Sequence, residues 1–298
     1  MKSEVKIPRK DAVAPMFATT PRGTIEYVLS GEGAMTVLAL HGAMGGHDQA
    51  ELLGCTVGDP RFRCLSVSRP GYLGTPLSVG QTPEEQADAY AALLDTLGVE
   101  SVAVVAISGG GPSAIHFALR HRDRCRCLIL ISTCGQKVTE RLPMAYHLLK
   151  LLGRWPAVLR FMQGKASQDL ESFLRRSVSD PAILTRTLQN PEVRPLLEEM
   201  MRMSADHVGE RLAGTFNDVT ATRTCDYPLE QIAVPALVVH GTADKLVPFE
   251  QHGQVLASRI PGAELLAVEG GEHVTIFTHR DIVRPRVVQF LRATANME

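Results

Sequence analysis

The chain has 298 residues, 45% hydrophobic and 21% charged, with 31 basic against 32 acidic side chains for a net charge of −1. Balanced charge gives no electrostatic case for nucleic acid or an anionic membrane as partner, and no apolar run approaches the ~18 residues of a membrane span. The composition is that of a globular chain with ample core-forming material, long enough for one large domain or one domain carrying an insertion.

Residues 1–15 carry Pro8 and Pro15 among charges, without the apolar stretch of a secretory signal, and read as a loose arm. Met16–Thr20 and Ile25–Ser30 are predicted strands around the turn Pro21-Arg22-Gly23. Thr36–Leu40 is a continuous apolar run, short enough for a buried strand, and it ends in His41-Gly42-Ala43-Met44-Gly45-Gly46. Arg63–Ser68 reads as another strand, running into Arg69-Pro70-Gly71-Tyr72. A helix follows, with Thr82 as cap, Pro83 at its first position and Glu85 completing a capping box. Tyr90, Leu93, Leu94 and Leu97 form its apolar face and Gly98 stops it.

A β-branched apolar run then stops at Ser108, followed by Gly109, Gly110 and Gly111. Next comes a helical segment with Ile115, Ala118 and Leu119 inward, and a strand over Cys127–Ile131. A serine on so tight a strand-to-helix turn is held out from the backbone, and the small neighbours Ala106 and Gly110 permit that turn. A plain glycine-rich turn opening a helix is the competing reading of the motif by itself.

From Gly135 to about Tyr227 the strand-like runs vanish. Met144–Phe161, Gln168–Ser177 and Val193–Leu212 have helical apolar spacing, broken by Pro143, Pro156, Pro181, Pro191 and Pro195. About four short helices are expected there. The basic and apolar stretch Lys150–Arg160 fits an amphipathic helix of this insertion better than a membrane contact. The strand rhythm resumes at Ala236–His240, which leads into Gly241-Thr242-Ala243-Asp244. A helix after Pro248 runs to Ile260, Glu264–Val268 is the last strand, Glu269–His273 is a turn, and a final helix covers roughly Arg280–Ala295. Pro285 is tolerable only near the start of that helix.

Strands alternating with helices imply parallel crossovers and a sheet covered on both faces. Active residues of such sheets collect at the carboxyl ends of the strands, which here means the loops 41–46, 108–112, 241–247 and 269–274. A serine hydroxyl needs a positioned base, and the base needs an orienting carboxylate. Ser108, Asp244 and His273 offer that set, each after a different predicted strand. Asp244 also fits a plain turn-forming role. No carboxylate follows the preceding strand, at Ser132-Thr133-Cys134, to rival it. His279, read as solvated near the last helix, and His240, read as packed at a strand end, are the rivals of His273 together with His252. His41 reads as a brace of its loop. His47 and Asp48 fit either a substrate-facing role or a solvated helix start. The six cysteines show neither a disulfide framework nor zinc spacing. Cys125 and Cys127, two apart on a strand, would share a face, but buried free thiols in a reducing, cytoplasmic setting are the expectation.

Leu40-His41-Gly42-Ala43, Ala106-x-Ser108-x-Gly110, Gly241-Thr242-Ala243-Asp244-Lys245-Leu246-Val247-Pro248 and Gly271-Glu272-His273 together resemble the α/β-hydrolase superfamily over nearly the whole chain. Arg69-Pro70-Gly71-Tyr72 is similar to a loop of its cap-bearing esterase, epoxide-hydrolase and dehalogenase branches. The resemblance implies an α/β fold, a mostly parallel twisted sheet flanked by helices. It divides the chain into a core of residues 1–134 and 228–298 and a helical cap of residues 135–227. It further implies Ser108 as nucleophile, His273 as base and then acid, Asp244 as orienting carboxylate, and the amides of Ala43 and Gly109 as oxyanion hole. Dehalogenases and epoxide hydrolases of the superfamily use an aspartate at the elbow, so Ser108 favours acyl transfer. The expected function is a serine hydrolase of the cap-bearing esterase type, acting on a small, largely apolar ester or lactone. A carbon–carbon bond hydrolase, an amidase and a non-catalytic small-molecule receptor on the same fold stay open. No cofactor or metal is called for, and a homodimer is left open. Met44 and Trp155 are candidate pocket residues, Trp155 with packing inside the cap as its alternative. Met144, Leu148, Leu151, Leu152 and Phe161 are further apolar material for the pocket or the cap's own core.

Overall fold

The computed structural model describes residues 14–295, with 60, 154, 167 and 168 excepted. The loose arm expected over residues 1–15 therefore falls almost entirely outside the described residues. Eight strands form one sheet: β1 (Met16–Thr20), β2 (Gly23–Ser30), β3 (Thr36–Leu40), β4 (Arg63–Val67), β5 (Val102–Ile107), β6 (Cys125–Ile131), β7 (Ala236–Gly241) and β8 (Glu264–Val268). Their order is β1-β2-β4-β3-β5-β6-β7-β8. β1 and β2 pair antiparallel, as do β2 and β4, and every other pairing is parallel. The central strands β3, β5 and β6 are mostly apolar because both faces of the sheet are covered.

Helices α1 (His47–Val57), α2 (Pro83–Thr96) and α3 (Gly111–Arg120) precede β6. Among the described residues, six α-helices lie between β6 and β7: α4 (Met144–Leu152), α5 (Pro156–Ala166), α6 (Leu170–Leu174), α7 (Pro181–Gln189), α8 (Arg194–Ala205) and α9 (Val208–Thr224). α10 (Gly253–Arg259), α11 (Thr275–Thr278) and α12 (Arg280–Thr294) complete the described chain. α2 starts as its sequence requires: Thr82 Oγ1 accepts from the Glu85 amide at 3.2 Å, and the Glu85 carboxylate accepts from the Thr82 amide at 3.1 Å. Such a cap contributes about 1 kcal/mol.

The side-chain alternation of the strands divides the core. Val102, Val104 and Ala106 of β5 join Tyr90 and Leu94 of α2, Ile115 and Phe117 of α3, and Leu256 of α10 on one face. Ala103 and Val105 join Leu52 of α1 and Val283, Val287 and Leu291 of α12 on the other. Each such fully buried aliphatic side chain stabilises by roughly 1.5–3 kcal/mol.

Three expectations need correction. Cys125 and Cys127 do not share a face: Cys125 lies in the first core and Cys127 in the second, because the β5–β6 register shifts between Val102 and Ala103. Among the described residues the segment between β6 and β7 holds six α-helices rather than about four. Pro181 and Pro195 sit in the first turns of α7 and α8, where a missing N–H costs nothing, so prolines that break one helix also mark the start of the next. His207, in the left-handed region at φ 55°, divides Val193–Leu212 into two helices. Finally, Met144, Leu148, Leu151, Trp155 and Phe161 are exposed, Met144 by 82% and Trp155 by 57%. α4 turns Tyr146 and Leu149 inward instead, with Tyr146 edge-on to Phe216 at 5.6 Å. The buried side chains between β6 and β7 come from other helices, among them Leu170, Leu174, Leu184, Leu196 and Leu197.

Candidate active site

β5 ends at Ile107, and Ser108 takes φ 50°, in the left-handed region. That conformation costs an L-residue roughly 1–2 kcal/mol and is the backbone signature of a side chain forced out of a tight turn. The strain is held in place from the next strand end, where Thr133 Oγ1 donates to the Ser108 carbonyl at 2.5 Å. A short 3₁₀ turn, Ser108–Gly110, then leads into α3.

Two other strand ends converge on the serine. Asp244 follows β7 and His273 follows β8. His273 Nε2 lies 3.0 Å from Ser108 Oγ, and His273 Nδ1 lies 2.8 Å from Asp244 Oδ2. The other carboxylate oxygen, Asp244 Oδ1, accepts from the amides of Leu246 and Val247, both at 2.9 Å. Asp244 is buried, whereas Ser108 and His273 are half-buried and reach solvent. Burial alone would raise the Asp244 carboxyl, but the hydrogen bond and charge of His273 and the Val247 amide outweigh it and hold the group below the usual carboxylate range. An ionised acceptor at Nδ1 keeps that nitrogen protonated and leaves the Nε2 lone pair facing the serine hydroxyl.

Ala43 and Gly109 meet beside Ser108. A side chain on Gly109 would come within 3.2 Å of the Ala43 nitrogen and 2.7 Å of an Asp218 carboxylate oxygen, so glycine lets the two peptides approach without displacing either neighbour. Met44 is half-buried and takes φ 59°. Trp155 does not join this group of residues as a buried side chain.

The rival histidines have other partners. His240 is buried with Nε2 donating to the Val247 carbonyl at 2.8 Å. His252 is buried and its Nδ1 accepts from the Gly135 amide at 3.3 Å. His279, expected to be solvated, is also buried, against Thr278 at 2.9 Å and Arg186 at 3.2 Å. His47 lies 3.2 Å from both Ser68 and Glu26, and Asp48 is ion-paired with Arg211 at 2.6 Å. His41 braces its loop as expected: the Arg69 amide donates to its Nε2 at 3.1 Å and its Nδ1 donates to the Gly42 carbonyl at 2.7 Å. Burial, and then the neighbouring Arg69 charge, push this imidazole well below its ordinary pKa, which fixes the neutral tautomer.

A model of the α/β-hydrolase fold matches residues 36–280 of this sequence. The chain belongs to the α/β-hydrolase fold family. It is 32% identical to an α/β-hydrolase fold protein of Nakamurella multipartita, whose structure superposes with a TM-score of 0.82 over 94% of this chain and 99% of that one. It is 29% identical to an uncharacterized hydrolase of Bacillus subtilis over 85% of this chain and 89% of the relative. It is 27% identical to a 2-hydroxy-6-oxononadienedioate/2-hydroxy-6-oxononatrienedioate hydrolase of Dechloromonas aromatica, over 94% of this chain and 96% of that protein. The family's sheet brings the three strand ends together, and the kinship places this α/β-hydrolase chain among hydrolases.

Within this α/β-hydrolase site the sequence reading passed over several residues. Thr133 carries no carboxylate, so its sequence gives no signal of the hydrogen bond it donates to the Ser108 carbonyl. Glu272, next to His273, is buried and accepts from the Ser179 amide at 2.6 Å, the Ser179 hydroxyl at 2.8 Å and the Asp180 amide at 3.2 Å. Asp218, Thr215 and Arg211 of α9 reach loop 41–46 and the Arg69–Tyr72 loop. Their spacing of four and three marks a polar helix face, which sequence cannot tell from a solvated one.

One cluster of candidate metal ligands occurs among the described residues: Glu84, His116 and Cys225, with ligand atoms within 4.8 Å of one another. Glu84 faces His116 Nδ1 at 3.5 Å, while Cys225 faces Nε2 at 3.1 Å. The two neighbours thus engage different nitrogens of one imidazole. Burial, followed by the charges of Glu84 and Asp226, pushes the Cys225 thiol up to about 12. The trio reads as a polar bridge between α2, α3 and the end of α9.

Proposed function

We propose that the protein is a serine hydrolase cleaving a carboxylic ester or lactone through an acyl-enzyme. The observation that carries this reading is the hydrogen-bonded relay from Asp244 through His273 to Ser108 Oγ, with spacings of 2.8 and 3.0 Å. Ser108 Oγ attacks the carbonyl carbon as its proton passes to His273 Nε2. The negative oxygen of the tetrahedral intermediate is received by the amides of Ala43 and Gly109, each such donor lowering the barrier by about 3 kcal/mol in comparable sites. Collapse breaks the carbonyl carbon–oxygen bond, and the leaving alkoxide takes the proton from His273. Water then attacks the acyl group, returns a proton through His273 and releases the acid. Asp244 stays ionised and holds the imidazole in one tautomer throughout. The helical segment 135–227 acts as the cap over the strand ends, and 1–134 with 228–298 as the core.

Cleavage of a carbon–carbon bond by the same residues is the second reading, favoured by full-length kinship to the dienedioate hydrolase of Dechloromonas aromatica. That relative's named substrate carries two carboxylates. In this chain the two buried arginines beside loop 41–46 are already paired, Arg69 with Asp218 and Arg211 with Asp48. This supports an uncharged ester or lactone here.

The test compares hydrolysis of p-nitrophenyl acetate and butyrate, a panel of small lactones and a 2-hydroxy-6-oxo-dienoate. Wild type should turn over an ester or lactone fastest, and Ser108→Ala should lose at least about 10³-fold in kcat. Faster cleavage of the dienoate would shift the assignment to the second reading, and turnover of none of them would reject both.

A further inference from the structure

We infer that Thr215 and Asp218 of α9 are positioning residues that hold the oxyanion-donating peptide of Ala43, making this helix a fixed wall of the site and not part of a lid that swings away. The inference rests on the reading of Ser108 as nucleophile with Ala43 and Gly109 as donors.

The peptide that would supply the Ala43 N–H carries the Gly42 carbonyl on its opposite edge, since a trans peptide points the two in opposite directions. That carbonyl accepts from His41 Nδ1 at 2.7 Å and from Arg69 Nη2 at 3.3 Å, and Arg69 Nε donates to the preceding carbonyl of His41 at 2.9 Å. Donors on the carbonyl edge fix the peptide plane and polarise its N–H. Arg69 is fully buried and cannot stay there without a counter-charge. Asp218 supplies it, accepting from Arg69 Nη1 at 2.8 Å and Nη2 at 2.5 Å and from the Tyr72 hydroxyl at 2.6 Å. The carboxylate that lies so close to Gly109 is thus neutralised by cation and hydroxyl, and does not oppose the charge forming on the substrate.

The next peptide is held from the same helix. Met44, in its left-handed conformation, donates its amide to Thr215 Oγ1 at 3.1 Å, and that hydroxyl donates in turn to the Arg211 carbonyl at 2.8 Å. One helix face, on which 211, 215 and 218 align, thus holds the peptide after Ala43 directly through Thr215 and the peptide before it indirectly, through the Asp218–Arg69 pair. Gly214 lets this face lie flat on the loop: its amide donates to the Gly71 carbonyl at 2.8 Å, and a Cβ there would strike the Tyr72 ring at 2.2 Å. Arg211 closes the contact through Asp48 at 2.6 Å.

The experiment uses the full chain as wild type, Thr215→Val, Thr215→Ser and Asp218→Asn. It measures kcat and KM for p-nitrophenyl acetate, and the inhibition constant of an arylboronic acid, whose tetrahedral adduct on a serine needs the same donors whatever the natural substrate. Thr215→Val should lower kcat roughly 10- to 100-fold with KM within about twofold, weaken boronate binding by a matching factor, and leave the melting temperature near wild type. Thr215→Ser should recover kcat to within about threefold. Asp218→Asn should lose at least as much as Thr215→Val; if it does not fold, Thr215→Val still decides. Unchanged kcat and boronate affinity in Thr215→Val, or a change in KM alone, would overturn the positioning role while leaving Ser108 hydrolysis intact. Wild type that neither turns over esters nor binds boronate would overturn both.

Discussion

Replacing Asp244 by asparagine tests the relay most sharply, because the surroundings force the orientation of the new amide. Asp244 Oδ1 is held by two backbone N–H donors, Leu246 and Val247, each at 2.9 Å. An asparagine must place its carbonyl oxygen there, since its NH₂ cannot accept. The NH₂ then falls where Oδ2 stood, 2.8 Å from His273 Nδ1. Two donors cannot face each other, so the imidazole moves its proton to Nε2 and points an N–H at Ser108 Oγ. In the proposed mechanism the base is then lost although no packing changes. The same substitution in serine protease triads costs about 10⁴-fold in kcat, or about 5.5 kcal/mol of barrier, and the proposed mechanism implies a like loss here. Burial of the Asp244 side chain strengthens the expectation, since solvent does not compete for the orientation of the new amide. The assay is steady-state hydrolysis of p-nitrophenyl acetate alongside chemical denaturation of both proteins. A loss of about 10⁴ with stability within about 1 kcal/mol of wild type is expected. A loss below tenfold in a folded variant would refute the tautomer argument.

Two further predictions concern stability. The unfolded His41 takes a proton below pH ~6.5, whereas the buried imidazole of the folded chain, well below that value, does not. Its contribution is thus fully present above pH ~6.5 and shrinks as pH falls, by up to about 1.4 kcal/mol per unit, with His240, His252 and His279 adding in the same direction. Urea midpoints at pH 7.5, 6.5 and 5.5 check this, and a flat profile would count against it. Glu272→Ala removes the acceptor for three donors of Ser179 and Asp180, and should cost about 2–3 kcal/mol in denaturation while loosening the tie between the His273 loop and the start of α7. A cost below about 0.5 kcal/mol would show that these contacts are replaced by water.

Local signals in the chain were sufficient for the sheet and for the three strand-end residues. Continuous β-branched runs mark strands buried on two faces, and a small-residue turn after one of them marks Ser108. Asp244 and His273 were legible because each sits in a short loop directly after such a run, where chain order alone constrains position. Only the tertiary structure decided the rest. The bulge that parts Cys125 from Cys127 arises from pairing with β5, which no spacing within β6 records. The buried state of His279 depends on α7 and α11 closing over it. The face of α4 that turns inward is chosen by Phe216, 70 residues away from Tyr146 in sequence. Above all, the polar stripe Arg211, Thr215 and Asp218 looks in sequence like any solvated helix face. It becomes part of the site only because loops 41–46 and 69–72 bring buried carbonyls, an amide and a guanidinium that must find partners, and unmet polar groups in a core cost more than the helix contact does.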